Sequence, residues 1–178
     1  MMREKTYRTA LGGILSALAV TMLFLGSVFP FADISGPAFA SVCVLLIREE
    51  MSAGAAFTVY AAVSALSMLL VPDKESVLLF VFFFGWFPIL KSALDRKMKY
   101  LPALAVKLLA FNASIILMYW IILKVFVMQS VADEFAEYST AMYIAVMLMA
   151  NITVVILDYA FSRVVFLYRN VWRAKLVR

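Results

Sequence analysis

Lys107 and Asp158 are ionisable residues set deep inside long apolar runs, so any chemistry in this chain starts with them. If the runs are helices, Lys107 lies about two turns inside one of them. Asp158 lies at similar depth in the next, a little over one turn before Arg163. Ionisable side chains are costly in hydrocarbon and are usually turned into a bundle. A structural ion pair between Lys107 and Asp158 is the simpler reading, and a proton or cation relay the bolder one. The pair is preferred, because a relay needs a continuous chain of titratable groups and none extends outward from these two. Asn112 and Asn151 fall near the middle of the same two runs. They are placed to hydrogen-bond each other, a contact worth about 1 kcal/mol, or to floor a ligand pocket. Both readings stay open.

A second group sits toward the opposite ends of the runs. Phe80, Phe82, Phe83 and Phe84 lie on one stretch, Tyr119, Trp120 and Lys124 on the next, and Tyr138 and Tyr143 open the last. An apolar cup with a few convergent polar tips suits a small, partly aromatic molecule. Residue by residue, an interfacial aromatic belt or lipid-facing packing is the commoner role. As a group they are read as a pocket, and the candidate substrate-binding residues are Asp33, Phe82, Asn112, Tyr119, Trp120, Lys124, Tyr143 and Asn151.

Other chemistries lack their residues. The chain has no histidine and a single cysteine, Cys43. One thiol makes neither an intramolecular disulfide nor a zinc site, and without imidazole the commonest metal ligand and proton shuttle are gone. There is no Walker loop, no Gly-rich dinucleotide turn, no HExxH and no GxSxG. No metal, cofactor or catalytic residue is expected, and the chain is not read as an enzyme. Any driving energy comes from a partner or an ion gradient.

The elements that must position these residues are apolar. Hydrophobic residues make up 66% of the 178, with a mean hydropathy of +0.99. A soluble domain is nearer half apolar. Six runs follow one another: Thr9 to Phe29, stopped at Pro30; Ala32 to Ile47, the shortest, closed by Arg48-Glu49-Glu50; Met51 to Val71; Ser76 to Leu90; Leu101 to Met128; and Ser139 past Asp158 toward Tyr168. About 20 apolar residues span roughly 30 Å of hydrocarbon as a helix, and these runs do not alternate polar with apolar as strands would. The expected fold is all-α: one six-helix transmembrane domain over residues 1–178, with no linker, repeat or low-complexity segment.

Charge orients it. Arg3, Lys5 and Arg8, then Arg48, then Lys91, Arg96, Lys97 and Lys99, then Arg163, Arg169, Arg173, Lys175 and Arg178 all fall on one side of six spans. The other side carries Asp33, Asp73, Glu75, Asp133, Glu134 and Glu137, with Lys74 and Lys124 as its cations. By the positive-inside rule both termini are cytoplasmic. The net charge of +5 is thus mainly a topology signal, with some attraction to anionic lipid heads and no nucleic-acid partner expected. Ala38-Phe39-Ala40 resembles a signal-peptidase site, but it lies within the second apolar run, so the N-terminal segment is expected to remain as an anchor.

Small residues are patterned as well. Gly13-x-x-x-Ala17 and Gly12-x-x-x-Ser16 put small side chains on adjoining faces of the first run, and Ala53, Phe57, Ala61 and Ala65 repeat every four residues in the third. Such stripes allow close helix approach. They serve internal packing or the docking of another membrane protein. Docking through Gly13, Ser16 and Ala17 is the expectation here.

The opening Thr9-Ala10-Leu11-Gly12-Gly13-Ile14-Leu15-Ser16-Ala17-Leu18-Ala19 is similar to the first helix of many S components, the substrate-binding subunits of energy-coupling-factor transporters. Phe84-Gly85-Trp86-Phe87-Pro88-Ile89-Leu90-Lys91 resembles the end of their fourth helix. The family docks through Ala-x-x-x-Ala on its first helix, and the nearest match here is Gly13-x-x-x-Ala17. The resemblance implies a multi-pass protein of the bacterial cytoplasmic membrane that captures a vitamin or similar micronutrient from outside. It implies a membrane coupling subunit and two ATPase subunits as partners, with toppling of the whole protein carrying substrate inward. No vitamin-specific signature assigns the substrate. Two other readings remain: a non-transport scaffold such as the small six-span rod-shape protein of cell-wall elongation, and a stand-alone secondary transporter or membrane enzyme in which Lys107 and Asp158 are essential.

Overall fold

A computed structural model describes residues 2–29, 32–126 and 139–172. Pro30, Asp133, Glu134, Glu137, Tyr138, Arg173, Lys175 and Arg178, as well as the expected end of the fifth run at Met128, lie outside the described residues. The regular structure among the described residues is helical throughout. In chain order it comprises α1 (Met2–Val28), α2 (Ser35–Glu50), α3 (Ala53–Leu70), α4 (Lys74–Leu79), a π-helical turn (Phe80–Phe84), α5 (Phe87–Lys97), α6 (Tyr100–Ile121) with a second π turn (Ile122–Phe126), and α7 (Thr140–Leu167) with a third (Tyr168–Trp172).

Among the described residues, five stretches are long and apolar enough to cross a bilayer: Thr6–Val28, Ala53–Leu70, Lys74–Lys97, Tyr100–Lys124 and Thr140–Asn170. Large apolar side chains cover their outer surfaces, among them Leu69, Leu101, Leu109 and Met149, each at least 70% exposed. That exterior suits lipid. The second run is different. As α2 it has 16 residues, about 24 Å of helix. It packs inside the bundle. Ala40, Val44, Leu45 and Ile47 are fully buried, and α1, α3, α5, α7 and the first π turn all pack on it. A helix surrounded by protein need not match the hydrocarbon thickness.

The helix starts are written in polar residues. Ser52 caps α3 by accepting from the Ala55 N–H at 3.1 Å. Asp73 caps α4 by accepting from the N–H groups of Glu75 and Ser76, both at 3.1 Å. Ser139 accepts from the Met142 N–H at 3.3 Å to open α7. Each satisfies donors that a helix start leaves free. Lys74 donates to the carbonyls of Met68 at 2.9 Å and Val71 at 2.8 Å, closing the end of α3. The cation among the acidic residues at this end is thus a helix C-cap.

The run expected to stop at Leu90 continues as helix to Lys97. Lys91, expected in a polar loop, is 4% exposed. It pairs with Asp95 one turn on, so the charges fold inward and the helix continues past them. The same rod carries the π turn. There the Gly85 N–H reaches back five residues to the Phe80 carbonyl at 2.7 Å. In an α-helix it would bond Val81, whose carbonyl accepts instead from the Tyr60 hydroxyl at 2.8 Å. The Trp86 indole donates to the Phe82 carbonyl at 2.5 Å. The wider turn rotates the following residues and brings Phe80, Phe83, Phe84 and Phe87 into the core. Phe83 lies 4.7 Å from Phe111 and 4.8 Å from Phe87 between ring centroids. Three of the phenylalanines read from sequence as lining a cup or facing lipid, Phe80, Phe83 and Phe84, are therefore core.

Helices α1 and α2 approach closely at Gly26 and Gly36. A methyl built on Gly26 would sit 2.8 Å from the Gly36 Cα, and one on Gly36 would sit 3.0 Å from the Gly26 Cα. Neither glycine belongs to the stripes singled out from sequence.

Candidate functional site: a buried charge quartet

The third run from the end, the fifth and the sixth bring four charged side chains together. Lys107 on α6 is fully buried and Asp158 on α7 is 2% exposed. The Lys107 Nζ donates to Asp158 Oδ1 at 2.7 Å. Sequence reasoning paired these two, and the structure brings them together. It missed that Lys91 and Asp95 of α5 complete the site. The Lys91 Nζ lies 3.0 Å from the same Asp158 Oδ1, so both ammonium groups converge on one oxygen. Asp95 bridges the two lysines from the other side, with Oδ2 at 2.7 Å from Lys91 and Oδ1 at 2.5 Å from Lys107. Ser162 accepts from Lys91 at 2.9 Å and donates to the Asp158 carbonyl at 2.9 Å.

The quartet is charge-neutral and cross-linked through three helices. That is how burial of charge becomes tolerable: each ammonium faces two carboxylates, and hydrogen bonds fill much of their remaining capacity. The four are not equal in access. The Asp95 side chain is 38% exposed, against 5% or less for the other three. The spacing Lys91-x-x-x-Asp95 was a signal available in the sequence. It was obscured because both residues sit beyond an expected helix end.

A second charged group lies on the neighbouring face of α5. The Glu49 side chain, at the end of α2, is 5% exposed. It pairs with Arg169 beyond α7, lies 4.0 Å from Arg96, and accepts from Ser92 at 3.5 Å. Residues 91 and 95 of α5 thus face α6 and α7, while residues 92 and 96 face Glu49. The ends of α2, α5 and α7 meet here, near the start of α6. At the opposite end of the bundle, Tyr119 donates to Glu75 at 3.2 Å and Ser76 to the Asp33 carbonyl at 3.0 Å.

Further along α6 and α7, Asn112 and Asn151 bond each other twice, at 2.8 Å and 3.2 Å. Each also donates to the carbonyl one turn back in its own helix, Leu108 and Met147. Their amides are engaged between the helices. The other expected ligand residues do not gather in one cavity among the described residues. Trp120 is 57% exposed and Tyr143 39%, and Asp33 and Lys124 are also exposed. Phe82 lines an open apolar groove of about 550 Å³ with Tyr60, Ser64, Met68, Leu78 and Ile121. A smaller groove of about 300 Å³ lies between α1 and α3, beside Val20, Phe24 and Leu70.

The α1 stripe points outward. Gly13 and Ala17 are exposed, and a methyl built on Gly12 or Gly13 would meet nothing within 4 Å. The Ser16 hydroxyl donates to the Gly12 carbonyl at 2.7 Å, within its own helix. The other four-residue repeat, Ala53, Phe57, Ala61 and Ala65, also faces out, while Ala56, Val59, Val63 and Ser67 form the buried face of α3.

No family model, no curated protein and no solved structure matches this chain.

Proposed function

We propose that this protein is a substrate-capture subunit for uptake of a vitamin or similar micronutrient, of the S-component type. It would sit in the bacterial cytoplasmic membrane as six helices with both termini inside. It would work with a membrane coupling subunit and two ATPase subunits supplied in trans. The observation that carries the reading is the outward stripe of Gly13 and Ala17: both are exposed and Gly13 faces open space, so this face is available to a partner helix. The orientation is supported by the grouping of Arg96 and Arg169 with Glu49 at one end of the bundle and of Asp33 and Glu75 at the other. Mass spectrometry of the protein purified from its native membrane tests the reading. Copurification of a small molecule together with coupling and ATPase subunits is the expected result. Recovery of the protein with neither would sink it. Orientation has its own check in a Cys43→Ser background. A cysteine at position 97 should resist an impermeant reagent in intact cells.

A scaffold role in a cell-envelope complex is the second reading. It is favoured by Asn112 and Asn151 closing on each other instead of presenting their amides to a ligand. Envelope proteins and no small molecule in the purified complex would favour it.

A further inference from the structure

Asp95 differs from its three partners in that its side chain is 38% exposed. Its carboxylate nonetheless holds a defined seat, one oxygen on each of two lysine ammonium groups, at 2.7 Å and 2.5 Å. That is the geometry a free carboxylate would adopt between two fixed cations. Asp158 cannot leave in the same way. It is 2% exposed, and one of its oxygens takes both ammonium groups from behind. Lys91 is further held by Ser162. The two lysines therefore stay in place whether or not Asp95 does. With Asp95 withdrawn, the buried remainder is two ammonium groups against one carboxylate, an excess of one positive charge on the partly exposed side that Asp95 occupies.

We infer that Lys91 and Lys107 form an oxyanion site whose resident occupant is the side chain of Asp95, and that a small carboxylate replaces it from the end of the bundle where Glu49, Arg96 and Arg169 lie. The exchange conserves charge within the site. One carboxylate leaves to water, where hydration offsets its lost ion pairs, and another enters. Asp95 competes as an intramolecular ligand, whose effective concentration is on the order of millimolar or higher. Exogenous carboxylate therefore binds the native protein weakly and a variant lacking the resident side chain more tightly. The inference does not depend on the transport reading: the site lies at the end of the helices away from Asp33, Tyr119, Trp120, Lys124 and Tyr143, with Asn112 and Asn151 midway between.

The test is formate titration of the full-length protein in detergent at fixed ionic strength, with chloride replacing formate as the control and melting temperature as the readout. Wild type should show a saturable rise with formate that chloride does not give. Asp95→Ala, which empties the seat, should start at a lower melting temperature and recover most of the loss. Its half-saturating formate concentration should be at least about ten-fold below that of wild type. If Asp95→Ala does not yield folded protein, Asp95→Asn carries the same comparison without emptying the space. In either background Lys91→Met should abolish the formate-specific response. Rescue of the variant with no response of wild type at any concentration would overturn the inference, because Asp95 would then be a fixed strut. Equal effects of formate and chloride in both proteins would overturn it as well.

Discussion

The two halves of the α6–α7 contact are held by different physics. At one end Lys107 meets Asp158, with Lys91 and Asp95 of α5 closing a quartet through three helices. Midway, Asn112 and Asn151 hold the same two helices by neutral amides alone. Beyond them the start of α7 is largely exposed, with Met142, Tyr143, Ile144, Val146, Leu148 and Met149 all on its surface. Charge fixes position strongly, and loss of a fully buried member is very costly because it strands its partners. An amide pair is weaker and can be lost without stranding a charge. The bundle is thus pinned at its charged end and more lightly joined toward the other.

The contrast predicts its largest effect at Asp158. Asp158→Ala leaves two lysines sharing Asp95 alone, and should cost roughly 3–5 kcal/mol, read as thermal or denaturant unfolding in detergent. Lys107→Ala should fall in the same class, because Asp158 then depends on Lys91. The double change Lys107→Leu with Asp158→Leu removes one charge of each sign and leaves Lys91 with Asp95, an i,i+4 pair on one helix. It should recover much of the loss. A double variant as unstable as the sum of the two single ones would mean that the quartet is not one electrostatic unit.

Packing gives the next effect. Gly26→Ala places a methyl against the Gly36 backbone, where the separation would be 2.8 Å and backbone cannot turn aside. Overpacking of this kind should cost about 1–3 kcal/mol. A melting temperature equal to that of wild type would show that α1 and α2 part easily at this crossing.

The amide pair should matter less. Asn112→Leu or Asn151→Leu alone removes both hydrogen bonds between the two amides, and a double-mutant cycle should return a coupling of about 1 kcal/mol. A coupling as large as that of the charged end would erase the distinction between the two halves of the α6–α7 contact.

Much of this was legible in the sequence, for reasons that also explain what was not. The all-helical character, with helices long and apolar enough to cross a bilayer, follows from run length and hydropathy, which act locally. Lys107 and Asp158 stand out because each interrupts an apolar run, and the asparagines stand out likewise. Lys91, Asp95 and Glu49 sit where apolar runs give way to charge, and such positions read as solvated loop. Only the fold shows that these helices continue into a protein-lined end of the bundle, where Lys91 and Glu49 are covered. The Gly26–Gly36 crossing joins two helices by one glycine each, so no spacing within either run marks it. The π turn at Phe80–Phe84 was hidden for a similar reason: its extra residue is compensated by Tyr60 from another helix. A cup was read from aromatic composition, but orientation separates these residues, sending Phe83 inward and Trp120 outward.

The smallest expected effect on stability is at the α1 stripe, and it is the most informative for function. Gly13 and Gly26 lie on one helix and are the same residue type, but the first faces open space and the second faces backbone. Gly13→Leu should therefore change stability by no more than about 0.5 kcal/mol, the range of an ordinary surface substitution, and leucine's better helix propensity favours the helix. If the stripe receives a partner helix, the same leucine holds that helix away, because small side chains are what permit close backbone approach. Unfolding of the isolated protein would then be unchanged while recovery of the complex falls. Ala17, one turn further along on the same face, should behave alike. A Gly13→Leu variant that melts markedly lower than wild type would mean that the stripe packs inside the protein. One that keeps both its stability and its full complement of partners would leave this face to lipid alone.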